Sequence, residues 1–83
     1  MMNRSLRTDV RNPLIRLSGA QAIQQLSPEA KKALDELLTD IVIDARIQAE
    51  KCWRKHKAPM AAYWKAVSVY AGHTRKLTRL QMP

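Results

Sequence analysis

Two stretches of helical period dominate the chain. From Ala30 onward, Leu34, Leu37, Leu38, Ile41, Val42, Ala45, Ala49, Cys52 and Trp53 fall within one broad stripe at about 100° per residue, which predicts a long amphipathic helix. Ser27-Pro28-Glu29 marks its start, with serine at the N-cap, proline where its missing donor costs nothing, and an acid in the first turn. The run Arg54-Lys55-His56-Lys57 suits a helix C-terminus, and Ala58-Pro59 predicts the stop, because the residue before a proline avoids the helical region. The first long helix is thus expected over 28–57. A second is expected over 59–80, with Met60, Tyr63, Ala66, Val67, Tyr70, Thr74 and Leu77 on one face. Trp64 and Ala71 flank that face on one side, and Val69, His73 and Leu80 on the other. Lys65, Ser68, Gly72, Arg75, Lys76 and Arg79 lie opposite.

So short a connection folds the two helices back as an antiparallel hairpin. Leu34, Leu38, Ile41, Tyr63, Val67, Tyr70 and Leu77 are the expected core. Upstream, Asn12-Pro13 is a turn signal, and Ser18-Gly19-Ala20-Gln21 has the spacing of a capping box ahead of Ile23 and Leu26. Residues 1–26 therefore read as a basic arm carrying a short helix, and 27–83 as the hairpin. The fold class is all-α. Each apolar face is wider than one partner helix can cover. Either two hairpins pair about a two-fold axis into a four-helix bundle, the expected homodimer, or the short helix folds over the strip. Ile43 and Ile47 depart from the pattern, forming an apolar pair on the charged side among Lys32, Glu36, Asp40, Glu50 and Arg54. They suit packing by the arm or a second protein interface.

Composition changes this picture at one point. The 83 residues carry a formal net charge of +8, yet all seven acids lie at or before Glu50, and eight of the fifteen Lys and Arg follow it, interleaved with Trp53, Tyr63, Trp64 and Tyr70. A cationic, aromatic half suits an acidic partner, either nucleic acid or protein. A single cysteine excludes an internal disulfide and fits a reducing compartment. No stretch spans a bilayer and no secretion signal is recognisable, so a cytoplasmic protein is expected.

Catalytic chemistry finds little footing. Cys52 and His56, four apart on the expected helix, offer two ligands or a thiolate–imidazole pair, but neither a third ligand nor an orienting group is evident. Asp35, Glu36, Asp40 and Asp44 read as a solvated face. Gly19 and Gly72 stand alone and form no phosphate loop. No enzyme, cofactor or metal is expected. Trp64, Lys65, Arg75, Lys76 and Arg79 are the expected face for a protein partner, with Ile43 and Ile47 as a second site. Nucleic-acid binding is the alternative, with Arg4, Arg7, Arg11, Arg54, Lys55 and Lys57 on phosphates.

Over Ala49-Glu50-Lys51-Cys52-Trp53-Arg54-Lys55-His56-Lys57-Ala58-Pro59-Met60-Ala61-Ala62-Tyr63-Trp64-Lys65-Ala66-Val67 the chain resembles small helical proteins of phage and prophage genomes. In size and hairpin architecture it is similar to early proteins of Mu-like Pseudomonas phages that bind and inhibit host proteins. One such family acts as a dimer of two-helix hairpins and blocks a quorum-sensing transcription regulator and a type IV pilus assembly ATPase. The resemblance covers residues 27 to 80, has no counterpart for residues 1 to 26, and carries no functional residue across. It implies a stoichiometric binder of a host protein.

Overall fold

The computed structural model describes residues 12–79, so Arg4, Arg7 and Arg11 of the arm, and Leu80, lie outside the described residues. A 3₁₀ turn, Pro13–Arg16, leads into α1 (Ser18–Gln24), α2 (Pro28–Arg54) and α3 (Ala58–Arg79). The described chain is all-helical, and its two long helices pack antiparallel against each other.

The start of α2 is as expected: the Ser27 hydroxyl accepts a hydrogen bond from the Ala30 amide at 3.1 Å, with Pro28 and Glu29 in the first turn. Its end comes at Arg54, three residues before the expected 57. His56 turns to φ 60°. The Lys57 amide then donates to the Cys52 carbonyl at 2.8 Å and the His56 amide to the Trp53 carbonyl at 3.0 Å. This is a Schellman closure with histidine where glycine is usual. Because the turn satisfies those carbonyls early, α3 begins at Ala58 rather than 59, and Pro59 sits in the first turn, where no amide donor is needed.

The N-terminal segment is fastened by two side-chain amides. Asn12 accepts from the Leu14 amide at 3.1 Å, capping the 3₁₀ turn, and donates to the His73 carbonyl at 2.9 Å. Gln24 donates to the Leu77 carbonyl at 2.6 Å. Asn12, Ala20 and Leu77 are buried. The expected capping box at Ser18 is not formed: α1 starts at Ser18 itself, capped by Leu17 without a side-chain bond. Since the segment packs on the C-terminal part of α3, it does not cover Ile43 and Ile47, which stay exposed on α2.

The α2–α3 seam follows alternating steps of three and four residues. Asp35, Leu38, Val42, Ala45, Ala49 and Cys52 on α2 meet Ala61, Trp64, Ser68, Ala71, Arg75 and Thr78 on α3, every one buried or half-buried. Leu38, Val42 and Ala71 form the nucleus, with Leu34 and Ile41 packed against it. The row that α3 turns to α2 is thus rotated from the expected one. Tyr63 and Tyr70, expected in the core, are each 56% exposed, and Leu77 is buried near the N-terminal segment, whose Gln24 bonds its carbonyl. The seam is built mainly of small residues, Ala45, Ala49, Ala61, Ser68 and Ala71, with Trp64 as its one bulky aromatic member among the described residues.

The result is thin and open. The Cα extents are 46 × 39 × 16 Å, with a radius of gyration of 14.9 Å, against about 12 Å for a compact chain of this length. Among the described residues no large side chain is fully buried.

Candidate interaction surfaces

The open end of the seam holds a polar cluster that joins the two helices. The Arg79 guanidinium grips Asp35 with two bonds, Nε to Oδ1 at 2.9 Å and Nη2 to Oδ2 at 3.0 Å. The Thr78 hydroxyl donates to the same carboxylate at 3.2 Å. The Arg79 hydrogen bond holds the Asp35 carboxyl below its ordinary value. Partial burial opposes the shift, while the Thr78 bond and the charges of Arg79 and Arg75 add to it. The Arg79 guanidinium is raised in turn. Beside them, Arg75 donates to Thr39 at 3.4 Å, and its Nε is buried with no partner. Asp35, expected on a solvated acidic face, is therefore a seam residue.

Two broad surfaces flank the seam. On one side an open groove of about 630 Å³ runs between the helices near their connection. Ala49, Ala61 and Ser68 form its floor, and Trp53, Arg46, Lys65 and Val69 rise around it. Glu50, also in this wall, is engaged by Arg54 at 3.2 Å. Among the described residues no carboxylate pairs with Arg46 or Lys65.

The other side is apolar. Leu34, Leu37 and Ile41 lie across the seam from the Arg46 wall, and Met60, Tyr63, Val67 and Tyr70 lie across it from Lys65 and Val69, as helical period requires. On α2 the row through Leu37 and Ile41 continues into exposed Asp44, half-buried Gln48 and exposed Lys51, so the charges of this side stand toward the connection end of α2. Leu37, Met60, Tyr63 and Tyr70 are exposed, and Tyr63 meets Trp64 edge to face with ring centroids 5.2 Å apart.

The residues expected to bind a partner are dispersed by this geometry. Lys65 and Lys76 are exposed, whereas Trp64 and Arg75 are half-buried at seam positions, and Arg79 is held by Asp35. Ile43 and Ile47 form an exposed pair on the back of α2. Of the alternative phosphate contacts, Lys55 and Lys57 are exposed at the turn, and Arg54 is tied to Glu50. Cys52 and His56 do not share a helix face, because α2 ends before His56. No group of three or more His, Cys, Asp or Glu side chains gathers to hold a metal among the described residues.

The sequence reading missed Trp53. It is 65% exposed although the apolar stripe claimed it for the core. The signal that could have found it is the row of small residues, Ala45, Ala49, Ala61, Ser68 and Ala71, which marks the true seam, with Trp64 in it and Trp53 beside it.

No family model, curated protein or solved structure matches the chain. No helix among the described residues is long and apolar enough to cross a membrane.

Proposed function

We propose that this chain is a non-catalytic helical-hairpin module that works as a homodimer, docking on a protein partner and blocking it by occupancy. The observation that carries the reading is the largely apolar side spanning both helices, with Leu37, Met60, Tyr63 and Tyr70 exposed. A surface of this size on a single chain is costly unless another protein covers it. Two hairpins pairing across it form a four-helix bundle and turn the cations of Lys65 and Lys76 outward, where they steer the dimer toward an acidic partner. The resemblance to phage early proteins suggests the setting: an inhibitor acting in a host cytoplasm on a protein such as a transcription regulator or a pilus ATPase.

A tagged pull-down from the host tests the docking reading. A stoichiometric protein partner is expected, and recovery of nucleic acid alone would sink it. The exposure of Trp53 beside Arg54, Lys55 and Lys57 supports a second reading, in which the turn stacks on bases and contacts phosphates. Under that reading, duplex or single-stranded DNA shifts in mobility at low salt and is released steeply as salt rises.

A further inference from the structure

We propose that the groove lined by Trp53, Arg46, Lys65 and Val69 binds an acidic amphipathic helix of the partner protein. This deepens the docking reading and rests on it. Three features of the groove select the ligand. Its floor is built from Ala49, Ala61 and Ser68, and such small side chains let a third helix approach the two antiparallel helices at close range. Its apolar anchors are Trp53, 65% exposed, and Val69, 48% exposed, set on opposite helices so that a single apolar stripe can seat between them. Exposed tryptophans of this kind are typical centres of binding energy.

The third feature is charge. Arg46 stands on the α2 wall and Lys65 on the α3 wall. The one carboxylate of the lining, Glu50, is already paired with Arg54. An incoming helix with acids flanking its stripe meets a cation on each side, whereas a basic helix is repelled by both. Nucleic acid fits less well, because the floor offers phosphate two alanine methyls and a serine hydroxyl already given to the Lys65 carbonyl, and among the described residues the lining presents two cations, Arg46 and Lys65, to a backbone. The groove lies on the side of the seam opposite Leu37, Tyr63 and Tyr70, so a dimer presents two such sites facing outward.

The test uses the full chain carrying Trp64→Phe, which leaves Trp53 as the sole indole. It is titrated with a Leu/Glu peptide of about 18 residues, five helical turns, whose leucines recur at helical spacing, and in parallel with the Leu/Lys counterpart. A saturating blue shift of Trp53 emission with the acidic peptide is expected, with little response to the basic one. With labelled peptide and polarisation as the readout, Trp53→Ala should weaken binding about thirtyfold. The double variant Arg46→Glu/Lys65→Glu should reverse the preference and take the Leu/Lys peptide. All three positions are exposed, and circular dichroism checks that each variant keeps its helices.

No saturable shift, equal binding of the two peptides, or indifference to Trp53→Ala overturns the assignment, as does a Trp53 shift with duplex DNA that the acidic peptide cannot compete. The two readings fail separately. A stoichiometric partner that still binds Trp53→Ala removes the groove and keeps the docking reading. Peptide binding at the groove, with no protein captured from the host, does the reverse.

Discussion

Trp53 and Trp64 exchange the places that their neighbours in sequence suggest, and the reason lies in what a hydrophobic stripe measures. It points to the largest apolar surface a helix owns, which here is not the surface nearest the adjacent helix. On α3 the seam row includes Ser68, Arg75 and Thr78, residues that any apolar count assigns to solvent. For Arg75 and Thr78 that burial was not legible because it goes with partners across the hairpin, Thr39 and Asp35, while the Ser68 hydroxyl is satisfied within α3 by the Lys65 carbonyl. Leu34, Leu38 and Ile41, by contrast, were legible, since on α2 the stripe and the seam nearly coincide. The Asp35 cluster makes a pH prediction. Its carboxyl is held below the ordinary 3.8, so the unfolded chain takes up the proton first, and ionisation favours the folded state at neutral pH. That contribution is complete above about pH 5, declines below the unfolded value, and is lost once pH falls through the folded one. Asp35→Asn should therefore lower the urea midpoint at neutral pH, with the gap to the parent closing in acid. A gap that stays constant down to the most acid conditions would remove the ion pair from the account.

Among the elements, the helix boundaries show which local signals are sufficient. Ser27-Pro28-Glu29 located the start of α2 because capping is settled within one turn, and the Ser27 hydroxyl makes the expected bond. Ser27→Ala should cost about 1 kcal/mol in chemical denaturation. The end was misjudged because no glycine announces it. His56 holds the left-handed position at φ 60°, a conformation costing a non-glycine residue about 1–2 kcal/mol. His56→Gly should consequently stabilise the hairpin by about 1 kcal/mol despite the usual entropic cost of glycine. An unchanged or lowered urea midpoint would mean that the imidazole itself contributes at the turn. Gly72 gives the opposite case. It lies within α3 with ordinary backbone, and a Cβ there would meet nothing within 4 Å. Gly72→Ala should add about 0.5–1 kcal/mol. The short N-terminal helix was legible in outline only, because Asn12 and Gln24 dock through backbone carbonyls of α3, and carbonyls leave no trace in a residue pattern.

At the scale of the molecule, a sheet of helices 16 Å thick has two sides and too little interior. Among the described residues few large hydrophobic side chains are buried, Leu38, Val42 and Leu77 among them, while Leu37, Met60, Tyr63 and Tyr70 stand exposed on the apolar side. The apolar set runs from Met60 to Tyr70 on α3, about 15 Å of helix, and from Leu34 to Ile41 on α2, about 10 Å. A second copy related by a two-fold axis covers both stretches at once. Two chains of net charge +8 repel each other at long range, but this side carries few of the ionised groups, Asp44 and Lys51 at its α2 margin among them, so contact across it brings few like charges together. Dimerisation and folding should therefore be coupled: the urea midpoint should rise with protein concentration, as it does when the folded state is the associated one. Sedimentation should give a dimer at micromolar concentration, and Leu37→Glu/Tyr63→Glu, placing charge on both helices of that side, should give a monomer of lower and concentration-independent stability. Trp53→Ala, across the seam, should leave the dimer intact. A parent chain that sediments as a monomer at high micromolar concentration, with a midpoint indifferent to dilution, would leave Leu37, Tyr63 and Tyr70 open for the partner rather than for a second copy.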